Sequence, residues 1–531
     1  MGYISVNKIA QYLNQHIVGN VFDRLSIRDA YANDRSIVKN VPRLVAVPKT
    51  TDDIRKLCRF SSQLAKRNLR LPITVRGNGN DKTGAAVGDG LIISTEKLNN
   101  IQEIDSRGRL IRVQSGVTIG QINSALKLYG LTLPIDTDPS ETIGRLIANN
   151  YRDGYSGKYG GIYNYVDRAE IVLANGDIIQ TNTLSRHALR KKQNEDTFEG
   201  EIYRKMSRLL KEKHNLAPKN LKTINYAGYS TAFLVEHNNM FNLMPLFLSS
   251  QGTLGIISEV ILRLEVLQPV TGRLLINFKT IRPAIKFMHF ANSLKPLSLN
   301  IYDNRIFATA TKNGKKLPIF TSKLDNGYSV LVEFNNKSSR TKRNIKKCLK
   351  NLPDNIHVVV EDRNNKTSFR ELHSALVSYL NDGIRGERPP ILDDTFLPDD
   401  QLPYFLAELA ELEEKLETPL PIFGSFATSN YSVRPEIHLD QVSGRQLALK
   451  FIKEYSLLVA KYKGSLTGGG PEGCVKALAF KIPPNHHAFY TDIKKLFDPE
   501  NILNPEIKLG ASVKPTIRHL RTHYNYRITT K

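Results

Sequence analysis

The 531-residue sequence contains no tryptophan and only three cysteines, Cys58, Cys348 and Cys474. These cysteines are far apart, odd in number and outside any C-x-x-C pair, which argues against a disulfide framework and against a zinc site. A continuous apolar run of roughly eighteen residues is also lacking, which excludes a conventional membrane-spanning helix. Residues 1–20 contain no signal-peptide core. A cytoplasmic protein, soluble or peripheral at a membrane, is therefore expected.

Acidic residues are scarce: 51 Asp and Glu face 75 Lys and Arg, which leaves a net charge of +24. Such a surface attracts nucleic acid, an anionic membrane or an anionic cofactor. No helix-turn-helix, zinc-finger or ribonucleoprotein motif is present, so specific nucleic-acid recognition is not expected. The basic residues are spread along the chain, with local concentrations at 186–193 and in the tail 511–531. Peripheral contact of this tail with an anionic membrane is an open alternative.

Glycine, in contrast, is concentrated in residues 74–95, TVRGNGNDKTGAAVGDGLIIST, between two apolar strand candidates. Because glycine lacks a Cβ and tolerates positive φ, several backbone N–H groups can point at one anion. The spacing does not match G-x-G-x-x-G and no helix opens on the last glycine, which argues against a Rossmann nicotinamide site. A pyrophosphate is the expected ligand of such a segment, and Arg76 at the end of the first strand is expected to add a charge-assisted hydrogen bond to it. The alternative is a flexible surface loop.

Patterns elsewhere predict an α+β fold with mixed sheets and short helices. Thr118 predicts the start of a helix that Gly130 ends. Asn175 and Gly176 lie between β-rich arms and predict a hairpin with a tight primed turn. The lysine-rich stretch 335–352 predicts an exposed amphipathic helix.

Six segments occur in the order expected of the FAD-binding domain of the vanillyl-alcohol oxidase/p-cresol methylhydroxylase (PCMH) superfamily, and the sequence resembles that family over residues 38–507. The segments are 45–65, the glycine-rich 73–95, 111–134, TIGRLIANN (142–150), 157–179 and SSQGTLGIISEVIL (249–262). The stretches LDDTFLPDDQLPYFLAEL (392–409) and IKKLFDPENILNPE (493–506) are similar to the D-lactate and glycolate dehydrogenase branch of its FAD-linked oxidases.

The resemblance implies an α+β fold in which a two-subdomain PCMH-type FAD-binding domain is joined to an α+β cap domain, with a C-terminal segment returning to the FAD domain. The implied boundaries are 1–37 for an N-terminal helical extension, 38–268 for the FAD-binding domain, 269–440 for the cap or substrate domain, 441–510 for the returning segment and 511–531 for the basic tail.

The resemblance also implies FAD as cofactor, and it implies cofactor-binding residues in three groups. Expected at the pyrophosphate are Arg76, Gly77, Gly79, Asn80 and Gly84; along the ribityl and flavin side Ser140, Thr142, Ile143, Gly144 and Asn150; and at the adenine end Gly252, Gly255, Ile256 and Ile257. Each has a competing role as a turn or core residue, and for Ile256 and Ile257 strand packing is an equal alternative.

Two departures from the family pattern bear on the cofactor. Members that attach FAD covalently through this loop have histidine where this chain has Asn80, so non-covalent attachment is expected. Many relatives have a second glycine after Gly144, whereas this chain has Arg145. A cation there either crowds the loop or contacts the flavin or a phosphate.

The chemistry implied by the resemblance is FAD-dependent oxidation of the CH–OH group of a small substrate, a 2-hydroxy acid such as D-lactate, with hydride transfer to flavin N5. Electrons would pass to a quinone, an electron-transfer protein or oxygen. The catalytic candidates are His373 as proton acceptor, Arg434 as a bidentate clamp for a carboxylate, and Tyr431 beside it.

No metal is expected. Relatives that use a divalent metal draw histidine and acidic ligands from two segments that correspond here to 424–432 and 468–473. Ser425 and Ser432 stand at the first segment's histidine positions, and Gly469 and Gly470 replace the acid and histidine of the second. Hydroxyls and glycines do not form such a site.

Two other functions remain as alternatives. One is an FAD-binding protein with a degenerate catalytic site and a structural or redox-sensing role. The other is a basic nucleic-acid or membrane-surface binder without flavin.

Overall fold

A computed structural model of the chain describes residues 5–213, 216, 227–231, 234–235, 240–312, 317, 326–354, 356–362, 366–380 and 387–524. The end of the basic tail, residues 525–531, lies outside the described residues. The α+β prediction is confirmed, since helices and three large sheets alternate along the chain. In these described ranges no helix combines the length and the apolar character needed to cross a bilayer.

Four strands and three helices form the first subdomain. They are α1 (Val6–His16), β1 (Asn20–Phe22), α2 (Leu25–Ala30), β2 (Leu44–Val47), α3 (Thr51–Lys66), β3 (Ile73–Arg76) and β4 (Leu91–Ser94). The sheet order is β1-β2-β4-β3, with β2 and β3 parallel to β4. Because Arg76 pairs with Ser94, the glycine segment leaves β3 beside Thr95, at the carboxyl ends of two parallel strands. This edge is where α/β sheets commonly bind ligands.

The second subdomain contains a five-stranded antiparallel sheet in the order β5-β6-β10-β8-β9. Its elements are β5 (Ile101–Asp105), β6 (Leu110–Gln114), α4 (Ile119–Leu126), β7 (Leu131–Thr132), α5 (Ile143–Ala148), α6 (Ser156–Tyr159), β8 (Val166–Val172), β9 (Ile178–Gln180), α7 (Arg186–Gln193), α8 (Phe198–Glu212), α9 (Met244–Phe247), β10 (Ile256–Arg263) and β11 (Glu265–Val266).

Local sequence signals in this subdomain are confirmed with one exception. Thr118 forms a capping box at the start of α4, and Gly130 adopts a φ of 64° where that segment ends. The β8–β9 hairpin is present, but its turn is wider than predicted. A primed two-residue turn needs positive φ at both central residues, whereas at this turn only Gly176 has one, and Leu173 N–H donates to the Asp177 carbonyl.

The cap domain is a seven-stranded sheet in the order β15-β12-β14-β13-β17-β18-β16, with helices on both faces. Its elements are β12 (Gly272–Phe278), α10 (Ile281–Ser293), β13 (Ser298–Asp303), α11 (Asn304–Lys312), β14 (Tyr328–Phe334), α12 (Ser338–Lys350), β15 (His357–Val360), α13 (Lys366–Leu380), β16 (Thr395–Phe396), α14 (Leu402–Leu416), β17 (Ile422–Ser425), β18 (Asn430–Val433) and α15 (Val442–Lys461). The amphipathic helix predicted in 335–352 is confirmed as α12.

Residues 442–461, which the resemblance assigned to the returning segment, form α15 within the core of the cap. After α15 the chain reaches the first two subdomains through α16 (Pro484–Phe497) and α17 (Val513–Arg518). Phe489 and Phe497 of α16 pack into the core of the second subdomain. Leu503 pairs in parallel with Ile73, which extends the first sheet next to β3. The C-terminal segment therefore contacts both subdomains close to the glycine segment.

Candidate functional site

A cavity of about 630 Å³, counted with its open mouth, lies where the glycine segment, α5 and the loop before β10 meet. The cavity is lined by Val75, Gly77, Gly79, Asn80, Asp81, Ala85, Ala86, Thr95, Ser115, Gly144, Arg145, Ala148, Asn149, Ser250, Gln251, Gly252, Gly255, Ile256 and Ile257.

Bare backbone forms one wall of this cavity. The N–H groups of Gly77, Asn78 and Gly79 have no hydrogen-bond acceptor among the residues that the structure describes. Gly79 has a φ of 77°, which glycine tolerates best. Successive N–H groups without protein partners beside a cavity form the kind of concavity that binds an anion, which indicates a ligand with acceptor oxygens. The buried Ser115 hydroxyl on the opposite wall also has no partner. The site therefore fits a phosphate-bearing ligand.

Arg76 does not reach this cavity, which corrects the expectation that it bonds to the pyrophosphate. Its side chain is 4% exposed and its Nη1 donates to the carbonyls of Asn33, at 2.5 Å, and Tyr31, at 3.3 Å. A Cβ placed on Gly79 would lie 2.1 Å from Arg76 Nη2. The guanidinium therefore packs against Gly79 without lining the cavity.

The structure brings eight of the predicted cofactor residues together at the cavity. They are Gly77, Gly79, Asn80, Gly144, Gly252, Gly255, Ile256 and Ile257. Gly84 lies elsewhere, because a Cβ on it would meet Cys474 Sγ at 2.5 Å. It therefore packs against the C-terminal segment and not against the cavity.

The remaining predicted residues, all close to α5, support the cavity without lining it. The Thr142 side chain packs on Gly77, and its Oγ1 is buried without a partner. The Ser140 carbonyl accepts a hydrogen bond from Asn78 Nδ2 at 2.7 Å. Ile143 belongs to the core of the second subdomain. Asn150 has a φ of 45° and a buried, unpaired Oδ1.

Asp81 is a site residue that sequence reasoning missed. Its Oδ1 accepts hydrogen bonds from Thr83 N–H and from Ala85 N–H, and its Oδ2 accepts one from Asn149 Nδ2 at 2.9 Å. It thereby ties the glycine segment to the end of α5 across the cavity. The Asp-x-Thr spacing is a local turn signal that predicts the first of these bonds, but not the contact with Asn149.

Asp34 also forms a hydrogen bond to the glycine segment. Its Oδ1 accepts from Ser36 N–H at 2.9 Å, and its Oδ2 accepts from Ala86 N–H at 3.4 Å. Burial and the charge of Asp81 raise the pKa of Asp34 to about 7. A carboxyl group whose pKa is raised by folding binds a proton in the folded state that the unfolded chain releases, so it stabilises the protein below pH 7 relative to higher pH.

We expect Asp34→Asn to flatten the pH dependence of stability. The wild-type free energy of unfolding should fall by about 2–3 kcal/mol more than that of the variant between pH 5 and pH 8, since one pKa unit corresponds to about 1.4 kcal/mol. Urea unfolding of both proteins at the two pH values measures this difference. Equal pH slopes would contradict the assignment.

Asn504 joins the C-terminal segment to two walls of the cavity. Its Nδ2 donates to the carbonyls of Ala85, at 2.8 Å, and Gln251, at 3.0 Å, and its Oδ1 accepts from Thr74 Oγ1 at 3.1 Å. The side chain is 2% exposed. One amide therefore fixes the glycine segment and the loop before β10 relative to β3.

Asn504→Ala should lower the free energy of unfolding by about 2–4 kcal/mol, because three buried polar groups lose their partners. Asn501→Ala is the matched control: Asn501 also has positive φ, at 49° against 43°, but it is exposed. The difference between the two variants in denaturant unfolding isolates the side-chain hydrogen bonds. Similar losses would show that backbone strain alone is responsible.

Arg145 is held at the cavity by Glu141, whose Oε2 lies 2.9 Å from Arg145 Nη1. Burial alone would lower the pKa of Arg145, but the charges of Glu141 and Asp81 raise it. The Arg145 Nε is buried and has no hydrogen-bond partner. The guanidinium therefore retains a donor for an acceptor that arrives with a ligand.

The catalytic candidates are not arranged as a free substrate clamp. Arg434 is 2% exposed, and its Nε and Nη2 bind the Asp393 carboxylate at 3.0 and 2.6 Å. The expectation that Arg434 clamps a substrate carboxylate is thus corrected, since two nitrogens of its guanidinium already bind Asp393. Tyr431 is fully buried with an unpaired hydroxyl, and burial raises its pKa. His373 lies in α13, and its side chain is outside the described residues.

The two segments that carry metal ligands in some relatives differ in the space at the corresponding positions. The buried Ser425 hydroxyl has no partner and nothing lies within 4 Å of a Cβ on Gly470, whereas Ser432 and Gly469 contact Asp394. The Ser432 hydroxyl accepts a hydrogen bond from Asp394 N–H, and a Cβ on Gly469 would lie 2.6 Å from Asp394 Cβ. In the part of the chain that the structure describes, no three His, Cys, Asp or Glu side chains are grouped as metal ligands.

Two family models match the chain. The FAD binding domain model matches residues 42–182, and the model for the C-terminal domain of FAD linked oxidases matches residues 267–507. The first range contains the glycine segment and α5, and the second contains all elements of the cap domain and the chain as far as Ile507, which includes Asn504.

Similar curated proteins are named as dehydrogenases and an oxidase subunit. The D-2-hydroxyglutarate dehydrogenase of Pseudomonas putida is 24% identical over 93% of this chain but only 50% of its own length. This chain therefore spans about half of that relative. The D-lactate dehydrogenase of Archaeoglobus fulgidus is 24% identical, with 90% of this chain and 95% of that protein covered. A glycolate oxidase subunit of Bacillus subtilis is 25% identical, with 88% and 89% covered.

Solved structures share the fold. p-Cresol methylhydroxylase with substrate bound superposes with a TM-score of 0.70 at 15% identity, covering 96% of this chain and 97% of that one. 4-Ethylphenol oxidase from Gulosibacter chungangensis gives a TM-score of 0.69 at 13% identity, with 96% and 99% covered. Together with the matched domain models and the phosphate-fitting cavity, these likenesses place the chain in the FAD-linked oxidase superfamily, with FAD as its cofactor.

Proposed function

We propose that the protein oxidises the CH–OH group of a 2-hydroxy acid such as D-lactate, with FAD held in the cavity beside the glycine segment. The observation that carries this proposal is the set of unpaired N–H groups at Gly77 and Gly79, which line the cavity, and at Asn78 between them. Relatives named for D-lactate and D-2-hydroxyglutarate support the substrate class.

Each wall of the cavity has a proposed part in holding the cofactor. The N–H groups of 77–79 bind the pyrophosphate, Gly144 and Ser115 border the flavin side, and Ile256 and Ile257 border the adenine. When bound, FAD supplies the hydride acceptor. Among the described residues lining the cavity there is no histidine, cysteine or tyrosine, the side chains to which flavin is attached covalently. Attachment is therefore proposed to be non-covalent.

Arg145 is proposed to donate from its Nε to an anionic part of FAD, either a phosphate or the flavin ring as it gains electrons. Arg145→Gln should weaken FAD binding by about 10- to 100-fold, because a charge-assisted hydrogen bond contributes roughly 1.5–3 kcal/mol. Calorimetric titration of the apoprotein with FAD measures this. A lower flavin reduction potential in the variant would identify the ring as the partner, and an unchanged potential would identify a phosphate. Unchanged affinity and potential would contradict the contact.

The electron acceptor is proposed to be a quinone, an electron-transfer protein or oxygen. The basic tail, most of whose cations precede residue 525, is proposed as a contact for an anionic membrane. Membrane contact would favour a quinone, because quinones reside in bilayers.

Anaerobic titration of the purified flavoprotein tests the reaction. We expect D- or L-2-hydroxy acids to bleach the flavin absorbance, and sugars and simple aldehydes to leave it unchanged. Bleaching by another alcohol and by no hydroxy acid would contradict the substrate class while retaining the oxidoreductase. Colourless protein that does not bind added FAD would contradict both.

A second function is favoured by one specific observation. Because Arg434 is engaged by Asp393 and residues 425, 432, 469 and 470 lack ligand side chains, the catalytic segments of metal-using relatives are degenerate here. We therefore retain an FAD-binding protein with a structural or redox-sensing role as the alternative. It predicts a flavin that dithionite reduces but that no member of the substrate panel reduces.

A further inference from the structure

Helices α10 and α12 lie side by side on one face of the cap sheet. They contact each other, and both pack on β12. The buried side of α10 includes Phe287 and Met288, and the buried side of α12 includes Cys348, all within the main core of the cap. Their other sides are exposed to solvent.

This face of the sheet is opposite the face on which β13 approaches the FAD-binding domain, and the start of the α12 segment borders that domain, where Asn335 contacts Lys158 and Tyr159. Residues along a strand alternate between the two faces of a sheet. On β13, Leu299 and Ile301 belong to the core that contains α10 and α12, whereas Asn300 approaches Gly154 of the FAD-binding domain. A Cβ on Gly154 would lie 3.3 Å from Asn300 Oδ1. The two helices therefore cover the face of the cap sheet opposite Asn300.

The exposed side of the two helices carries cations without acids. Residues 279–302 contain Lys279, Arg282, Lys286 and Lys295, all exposed, and no Asp or Glu. No ion pair joins any of these four to a carboxylate within the described ranges.

The second helix is more basic. Residues 334–353 contain Lys337 and, within α12, Arg340, Lys342, Arg343, Lys346, Lys347 and Lys350, all exposed and again without Asp or Glu. The nearby carboxylates Glu333 and Glu361 bind Arg273 at 2.6 and 2.8 Å. We refer to the exposed side of residues 279–302 and 334–353 as the cationic face.

The general basicity of the chain does not explain this face. Four cations in the first segment and seven in the second supply 11 of the 24 net positive charges from 44 of the 531 residues. Like charges gathered on one surface repel each other and lower stability. A surface that accumulates them without intervening acids therefore indicates an anionic partner.

We propose that the cationic face binds an anionic lipid bilayer. Eight of its eleven cations are lysines, and lysine is depleted in protein–protein interfaces, whose central contacts are aromatic residues and arginine. The apolar side chain in its midst, Leu349, is 39% exposed and suits the boundary of headgroups and acyl chains. Basic amphipathic helices of this kind bind anionic membrane surfaces, each cation near the surface adding to the attraction.

A nucleic acid is less well matched by the same residues. Single-stranded nucleic acids bind where bases stack on aromatic side chains. In the cationic face Phe334 and Phe287 are buried and Phe290 and Tyr302 are half-buried, so no phenylalanine or tyrosine of these two described segments is fully exposed for stacking. This inference concerns a surface remote from the flavin cavity, so it does not rest on the proposed reaction.

Vesicle co-sedimentation of the full-length flavoprotein tests the proposal. The probes are phosphatidylcholine vesicles with and without about one third phosphatidylglycerol, in low salt, where electrostatic attraction is strongest. We expect binding to the anionic vesicles only. The variant K342Q/R343Q/K346Q/K347Q should bind at least about tenfold more weakly.

The matched control removes four exposed cations from α3 and the loop after it: R59Q/K66Q/R67Q/R70Q. It carries the same net charge as the first variant and should bind within about twofold of wild type. Flavin absorbance and thermal melting of each protein verify folding. Equal losses in the two variants, no binding by wild type, or tighter binding to a 20-base-pair DNA duplex than to the vesicles would each overturn the proposal.

Discussion

Gly79→Ala is expected to yield a protein that purifies without FAD, with affinity for added FAD lowered at least about 100-fold. Two effects combine at this position. The φ of 77° is unfavourable for alanine, and the new Cβ would lie 2.1 Å from Arg76 Nη2. Because Arg76 is buried and bound to two carbonyls, the guanidinium cannot move aside easily. The backbone must shift instead, which displaces the N–H groups proposed to bind the pyrophosphate.

Gly130→Ala separates these two effects. Gly130 has a similar φ of 64°, but nothing lies within 4 Å of an added Cβ. This control should cost about 1 kcal/mol of stability, and FAD should remain bound. Calorimetric titration of both apoproteins with FAD gives the comparison. If Gly79→Ala retained FAD as Gly130→Ala does, the glycine segment would not be the pyrophosphate site.

The sequence predicted the local elements better than the contacts between them. Thr118, Gly130 and the lysine-rich stretch 335–352 act through their own neighbours in the chain, and each formed the predicted element. The prediction of a primed turn at Asn175–Gly176 was wrong, because two different turn types suit that dipeptide. Which one forms depends on the pairing of Leu173 with Asp177, and that pairing depends on where the two strands align.

The cavity residues illustrate the same limit. Glycines signal bare backbone in the sequence, and this signal marked the segment that contains Gly77 and Gly79, whereas Gly252 was assigned through the family resemblance. Asn504 was not predicted as a site residue. It contacts Ala85, which lies more than 400 positions earlier in the chain, and no local sequence pattern indicates such a contact. Arg76 was misassigned for a related reason: its position at the end of β3 was predicted correctly, but its side chain turns to the carbonyls of Tyr31 and Asn33.

Asp393→Asn should lower the free energy of unfolding by about 3–5 kcal/mol, the usual cost of breaking a buried ion pair from one side. Asp393 and Arg434 are 3% and 2% exposed at their side chains, and Lys82 also contacts Asp393 at 3.2 Å. Asparagine has the same size, so the loss reflects charge and not a cavity. Urea unfolding at pH 7 measures it. Less than about 1 kcal/mol would show that the pair adds no net stability.

The pH dependence of this loss gives a second test. Burial alone would raise the pKa of Asp393, but the charges of Arg434 and Lys82 hold it well below its usual range. A carboxylate with a lowered pKa stabilises the fold above its unfolded pKa, near 4, and loses that contribution as the pH falls towards the folded value. The deficit of Asp393→Asn should therefore be constant from pH 5 to pH 8 and shrink below about pH 4.

Asp394→Asn is the matched control, because Asp394 is 44% exposed, lies 3.6 Å from Lys82 and has a positive φ that asparagine tolerates. Asp394→Asn should change the free energy of unfolding by less than about 1 kcal/mol at every pH. A deficit as large as that of Asp393→Asn would show that contact with Lys82 stabilises this part of the cap, and that the buried pair with Arg434 does not.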